Sequence, residues 1–320
     1  VTARRVTVVG AGVVGLSIAH ELSAGGASVT VVADRPAEDT VSAVAAAVWF
    51  PYRSGASPSL GAWLARSLAR FTELVADDVT GVDLREGTVV ERRPGADRSW
   101  TAGVAGHRAA APDELPPGAL AGVRVGLPVI TMSRYLPWLR TGCADAGVRF
   151  LRGTVAAVDD LAPDADLVVV AAGLRSGELL GDDTLYPIRG QVVRLANPGL
   201  TSWLIDDDHP EGLAYVVPRR DDVVCGGVAE VGSWNPEPDE ETERAILRRT
   251  AALVPELAGQ PVLSRGVGLR PGRDTVRLEH VVGHALPVIA CYGHGGAGVT
   301  LSWGCAEAVA ACAVGVPAGS

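Results

Sequence analysis

The chain has 320 residues, 48% of them apolar, enough to bury a sizeable core and to build two domains interleaved in sequence. Its net charge of −9 and the lack of a basic stripe with interleaved aromatics argue against a polyanion, so no nucleic-acid partner is expected. All 28 basic residues are arginine, and a chain without lysine cannot anchor pyridoxal phosphate, form a Schiff base or complete a Walker loop. The first strand is expected within a few residues of Val1, leaving no room for a signal peptide, and no apolar run reaches the roughly 18 residues of a membrane span. A cytoplasmic protein with no membrane partner is therefore expected. The cysteines (Cys143, Cys225, Cys291, Cys305, Cys312) are scattered without CxxC spacing, and His280 and His284 sit in a strand-like stretch. Buried structural thiols and no metal are the expectation.

Taken in chain order, Val6 to Val9 predicts a buried parallel strand, and Gly10, Gly12 and Gly15 complete GxGxxG before a helix from Val13 to Ala24. In such a turn the first glycine makes the tight bend, the second admits a pyrophosphate and the third lets the helix approach the sheet. The phosphates then meet the helix N-terminus. Asp34 closes a second strand, Ser28 to Ala33, where a carboxylate can take a ribose hydroxyl. A bound dinucleotide is expected, and the motif leaves open whether it is FAD or NAD. The following RPAEDTVSAVAAAVWFPYRSG, residues 35–55, predicts a compact turn-rich loop of small side chains, with Thr40 and Ser42 offering hydroxyls to phosphate or ribose. An alanine-rich core helix fits that segment equally well.

A helical pattern runs from Ser59 to Val75, then short β-like runs at Gly87 to Arg92 and Val123 to Val129. Ser133 is the expected N-cap of a helix reaching Ala146. Strands are expected at Val148 to Leu151, Thr154 to Val158 and Leu167 to Ala171, and an antiparallel sheet from Tyr186 to Val231. Helix Glu240 to Leu253 carries acids in its first turn and Arg248 and Arg249 near its end, as the helix dipole favours. The chain finishes through a strand, PVIACYG, and a glycine loop, HGGAG, that feeds a small-residue helix. That loop is a second place where backbone N–H groups can meet negative charge.

In order along nearly the whole chain, VVGAGVVGLS, VVADR, AAVWFPY, IRGQVV, LAYVVP, GLRPGRDTVRLE and YGHGGAGVTLSWG resemble the D-amino-acid oxidase family of flavoenzymes. Two features depart from its eukaryotic members: the lid is shorter and retains only Tyr215, and WFPY stands where WQPY is common. The chain thus resembles a bacterial member. The resemblance implies an α/β fold, an FAD-binding Rossmann-like parallel sheet with helices plus an interleaved, mainly antiparallel substrate domain. The expected division is 1–55, 133–185 and 282–320 for the FAD-binding domain, and 56–132 and 186–281 for the substrate domain.

The same resemblance assigns roles. Arg270 holds the substrate α-carboxylate, Tyr215 adds a hydroxyl to it, and the carbonyl of Gly296 orients the amine. A planar guanidinium suits the first task because it makes two parallel bonds to a carboxylate. Gly10, Ala11, Gly12, Val13, Val14 and Gly15 become an FAD fingerprint, with Asp34 and Arg35 at the adenosine ribose. Thr40, Val41 and Ser42 fall to the phosphates, and Ala45, Ala46 and Val48 to the flavin edge. Val155 would contact adenine through its backbone, Gly173 belongs to the same site, and Gly295, Gly296, Gly298, Val299 and Thr300 would line the flavin's other end. The implied reaction is FAD-dependent oxidation of neutral, apolar D-amino acids, with hydride passing from Cα to flavin N5. Its products are 2-oxo acids, ammonia and hydrogen peroxide, and its partners the amino acid and oxygen. No second cation is assigned to the pocket, and Arg219 and Arg220 are expected to point outward, which disfavours D-aspartate. A glycine or sarcosine oxidase, an NAD-dependent dehydrogenase and a non-catalytic flavoprotein are the alternatives, and a homodimer fits the family.

Overall fold

The computed structural model describes residues 3–51 and 57–314; Tyr52 of the WFPY stretch lies outside the described residues. In chain order the first elements are β1 (Arg5–Val9), α1 (Val13–Ala24), β2 (Ser28–Ala33), α2 (Val41–Val44) and α3 (Leu60–Leu74). Next come β3 (Val82–Glu91), β4 (Arg108–Ala109), β5 (Ala121–Ile130), α4 (Met132–Asp145), β6 (Arg149–Arg152), β7 (Leu167–Val170) and α5 (Arg175–Leu180). The remainder holds β8 (Tyr186–Ala196), β9 (Trp203–Asp206), β10 (Ala214–Pro218), β11 (Asp222–Gly226), β12 (Glu230–Val231), α6 (Glu240–Leu253), β13 (Val262–Gly272), β14 (Arg277–Val281), β15 (Val288–Tyr292) and α7 (Gly298–Val314).

Among the described residues two sheets form. The first has six strands in the order β14-β15-β7-β1-β2-β6. All its pairings are parallel except the edge hairpin of β14 with β15. Val6, Val8 and Val31 are buried on one face of the parallel strands and Val9, Val168 and Val170 on the other, which is why these strands read as unbroken apolar runs. The second sheet has nine strands. It is mainly antiparallel, with β13 paired to β8 along its whole length and β3 to β9 in parallel.

The sequence places most elements within a residue or two, and the departures have physical reasons. No strand forms at Thr154 to Val158. Strand β6 already occupies the sheet edge beside β2, and Val155 and Val158 bury themselves against Val9, Val168 and Val170 without pairing. Helix α4 starts after Thr131 rather than Ser133, because the Thr131 carbonyl accepts from the Tyr135 N–H at 2.9 Å. Strand β14 belongs to the six-stranded sheet, whereas residues through 281 are expected with the other. The 295–314 segment is long and apolar enough to cross a membrane by length and composition, against the expectation of no such run, and 61% of an 18-residue stretch within it is buried within the protein. It serves as a core helix: α7 packs on α1 and α3, so closely that a Cβ on Gly304 would lie 2.1 Å from the Trp63 carbonyl oxygen. A helix apolar on all sides is a buried one.

Candidate active site

A cavity of about 570 Å³ runs between the two sheets, within the range of small-molecule and cofactor sites. It opens where β1, β2, β7 and β15 end, the carboxyl edge at which parallel α/β sheets bind ligands. Gly10 turns the chain out of β1 with φ +116°, and a Cβ there would lie 2.3 Å from the Ala171 carbonyl oxygen. A Cβ on Gly15 would lie 2.0 Å from the Gly10 carbonyl oxygen, so Gly15 lets α1 sit against the turn and does not itself line the cavity. Ala11, Gly12, Val13 and Val14 line it beside Asp34 and Arg35.

The polar groups at this end already engage one another. Arg35 donates to Asp34 at 3.2 and 3.1 Å and thereby holds its carboxyl below the usual carboxylate range. The Val13 N–H, at the open end of α1, donates to Ser42 Oγ at 3.0 Å, and Thr40 Oγ1 donates to the Ala37 carbonyl at 2.6 Å. Arg175, from α5, donates to the Val155 carbonyl at 3.2 Å. Thr40, Val41, Ser42, Val155 and Gly173 all line the cavity.

Segment 45–50 crosses the middle. Its backbone is tied to β5 through Trp49 N–H to the Pro128 carbonyl at 2.8 Å and Ile130 N–H to the Ala47 carbonyl at 2.7 Å, leaving Ala45, Ala46 and Val48 on the wall. Helix α2 lies over β13 because that strand offers glycines: Cβ atoms on Gly268 and Gly266 would meet Val41 at 2.7 Å and Val44 at 3.0 Å. Opposite, Gly295, Gly296, Gly298, Val299 and Thr300 line the cavity at the start of α7. Thr300 Oγ1 donates to the Phe50 carbonyl at 3.0 Å, joining the two walls.

At the far end Tyr215 and Arg270 share the cavity with Phe50, Ile205, Leu213 and Val217. Arg270 donates to the Val228 carbonyl at 3.1 Å and has no ion pair with a carboxylate among the described residues. It lies over Gly190, where a Cβ would come within 2.2 Å of Nη2, and the Tyr215 ring lies over Gly226, where a Cβ would come within 2.1 Å of it. Sequence reasoning missed both glycines, although IRGQVV and CGGV carry them. It also missed Asp207, whose carboxylate-bearing side chain is part of the cavity lining. Arg219 corrects an expectation: it is buried rather than pointing outward, bonded to Asp222 at 2.6 Å, and does not line the cavity.

The family profile described as FAD dependent oxidoreductase matches residues 5–312. This chain belongs to the D-amino-acid oxidase family. It is 47% identical over 312 residues to the D-amino-acid oxidase of Rubrobacter xylanophilus, covering 97% of this chain and 95% of that one. It is 44% identical over 312 residues to the D-amino-acid oxidase of Streptomyces coelicolor, covering 95% of each. Among solved structures it is similar to glycine oxidase from Geobacillus kaustophilus, with TM-score 0.82 at 19% identity over 96% of this chain and 94% of that one. A D-amino-acid oxidase of this family is an FAD-dependent enzyme, and the cavity suits FAD. A Cβ on Gly12 would fall 3.2 Å from Ser42 Oγ, in the space a pyrophosphate needs, and the helix N-terminus and the 295–300 loop face one cavity from its two sides.

Cys291 and His294, three residues apart, and Cys305 from α7 bring their sulfur and nitrogen atoms within 4.8 Å of one another.

Proposed function

We propose that this D-amino-acid oxidase deaminates neutral, apolar D-amino acids, with Arg270 and Tyr215 as the carboxylate clamp. The observation that carries this reading is the presence of both side chains on the apolar end of the cavity that the GxGxxG turn and the 295–300 loop also line. Bound FAD would supply the two-electron acceptor, with oxygen as final electron acceptor and peroxide as product. The chain's own residues do the positioning. Arg270 takes the carboxylate through its fork, Tyr215 donates its hydroxyl to the same group, and the Gly296 carbonyl accepts from the amine. Three fixed points on one small molecule orient its Cα–H, the effect that contributes most when no base is used. Phe50, Ile205, Leu213 and Val217 exclude water from that space and present an apolar surface to the substrate side chain.

The residues proposed to hold FAD are Ala11, Gly12, Val13, Val14, Asp34, Arg35, Thr40, Val41 and Ser42 at the nucleotide end. Ala45, Ala46, Val48, Gly295, Gly296, Gly298, Val299 and Thr300 fall to the flavin end. Asp207 disfavours an acidic substrate and supports a second reading in which cationic side chains are accepted as well. It directly follows Asp206, which pairs with Ala214, the neighbour of Tyr215.

The test is the visible flavin spectrum of the anaerobic protein before and after D-alanine, L-alanine, D-leucine, D-arginine and D-aspartate are added separately. Bleaching by D-leucine and D-alanine with none by L-alanine or D-aspartate is expected. Bleaching by D-aspartate faster than by D-leucine would overturn the apolar assignment, and D-arginine decides the second reading.

A further inference from the structure

Cys291 lies in β15, three residues before His294, and Cys305 comes from α7. All three are buried, at 1%, 5% and 0% exposure. Their ligand atoms lie within 4.8 Å of one another, and His294 Nε2 is a buried nitrogen with no hydrogen-bond partner. A buried imidazole nitrogen without a partner is costly unless something takes it up. We propose that Cys291, His294 and Cys305 form a binding site for a thiophilic d10 cation, Zn²⁺ or Cu⁺, under the loop that opens α7.

The donor set selects the ion class. Two sulfurs and one imidazole suit soft or borderline cations and disfavour Mg²⁺ and Ca²⁺, which require oxygen. Tetrahedral Zn²⁺ with sulfurs at about 2.3 Å keeps its ligand atoms about 3.8 Å apart. A contraction of about 1 Å at most closes the cluster, within the reach of side-chain rotation. Cys291 and His294 line the large cavity and Cys305 does not, so an ion enters from the cavity side. Three protein ligands complete a trigonal Cu⁺ site and leave one position open on Zn²⁺. The bound ion would pin β15 to α7, across the turn that carries Gly295 and Gly296.

The experiment uses the FAD-loaded protein, purified under reductant without chelator, stripped by dialysis and then equilibrated anaerobically with Zn²⁺ or with Cu⁺. Metal per chain is measured by mass spectrometry, and the ligand set by X-ray absorption at the metal edge, where flavin does not interfere. The expected result is about one ion per chain for at least one of the two metals, held by two sulfurs and one nitrogen, with Zn–S about 2.3 Å and Zn–N about 2.0–2.1 Å if the ion is zinc. Cys305→Ala should weaken binding at least tenfold, whereas Cys143→Ala, at a thiol bonded to the Leu16 carbonyl in another part of the core, should leave it unchanged. Retention of neither metal, a ligand set with fewer than two sulfurs, or equal binding by Cys305→Ala would overturn the proposal. Should Cys305→Ala fail to fold, the absorption spectrum of the unmodified protein decides by itself.

Discussion

The Arg270 guanidinium fills the space above the α-carbon of Gly190, on the neighbouring strand, where a Cβ would stand 2.2 Å from Nη2. The contact is to the far end of a flexible side chain, so a methyl group there displaces the guanidinium without disturbing the β8–β13 pairing. Gly190→Ala should therefore fold and bind FAD normally yet lose about 10²-fold in kcat/KM for D-alanine, the cost of a misplaced anchor. Arg270→Ala should lose about 2–5 kcal/mol of carboxylate binding. Arg270→Lys should recover only part of that loss, because a point charge cannot reproduce the fork. Steady-state kinetics on D-alanine check all three, and a normal kcat/KM in Gly190→Ala would remove the anchor role.

Tyr215→Phe keeps the ring over Gly226 and Gly227 and deletes one hydroxyl. A hydrogen bond to a charged group contributes about 1.5–3 kcal/mol. The variant is expected to raise KM by tenfold or more with kcat much less affected. A KM equal to that of the unmodified enzyme would show that the hydroxyl does not reach the substrate.

Ser42 satisfies the Val13 N–H at the mouth of α1, and Gly12 keeps the adjoining space clear. Ser42→Ala should weaken FAD binding about tenfold, in line with the roughly 0.5–2 kcal/mol carried by a helix-end cap. Gly12→Val should give colourless protein, since its branched side chain occupies pyrophosphate space. The flavin-to-protein ratio and a fluorescence titration of stripped protein with FAD measure both.

Beneath the cavity wall, Tyr292 donates to Asp182 at 2.9 Å and accepts from Arg277 at 2.7 Å, while Arg273 and Arg277 each approach Asp182 at 3.2 Å. Although burial opposes its charge, hydrogen bonds from Thr184 and Tyr292, together with Arg273, hold Asp182 well below the carboxylate range, and burial pushes the Tyr292 phenol up to about 12. Asp182→Asn should cost about 3–5 kcal/mol, because it leaves two guanidinium groups without their shared anion. The folded-state pKa is depressed, so this stabilisation is complete above the unfolded carboxylate value of about 3.9 and disappears as pH falls through the folded value. Denaturant unfolding should show a gap between the two proteins that is constant from pH 7 to 5 and narrows in acid. A gap that widens in acid would contradict the assignment.

The nucleotide half was legible because its chemistry is local. Val6 to Val9, Gly10, Gly12, Gly15 and Asp34 sit within one βαβ unit, where strand, turn and helix follow from periodicity and from glycine's freedom at φ +116°. Arg270 and Tyr215 could be named only through their motif neighbours, because nothing in GLRP or AYVV by itself distinguishes a carboxylate anchor from an ordinary strand residue. What only the tertiary structure decided are pairings across large sequence separations. Gly190 makes room for Arg270, Ser42 takes the Val13 N–H, Asp182 gathers Arg273, Arg277 and Tyr292, and Cys291, His294 and Cys305 converge from a strand, a turn and a helix. Periodicity reports which face of an element is buried and carries no information on which distant element covers it. The site's outline was therefore written in its motifs, and its supporting contacts arose only where the two sheets and α7 packed together.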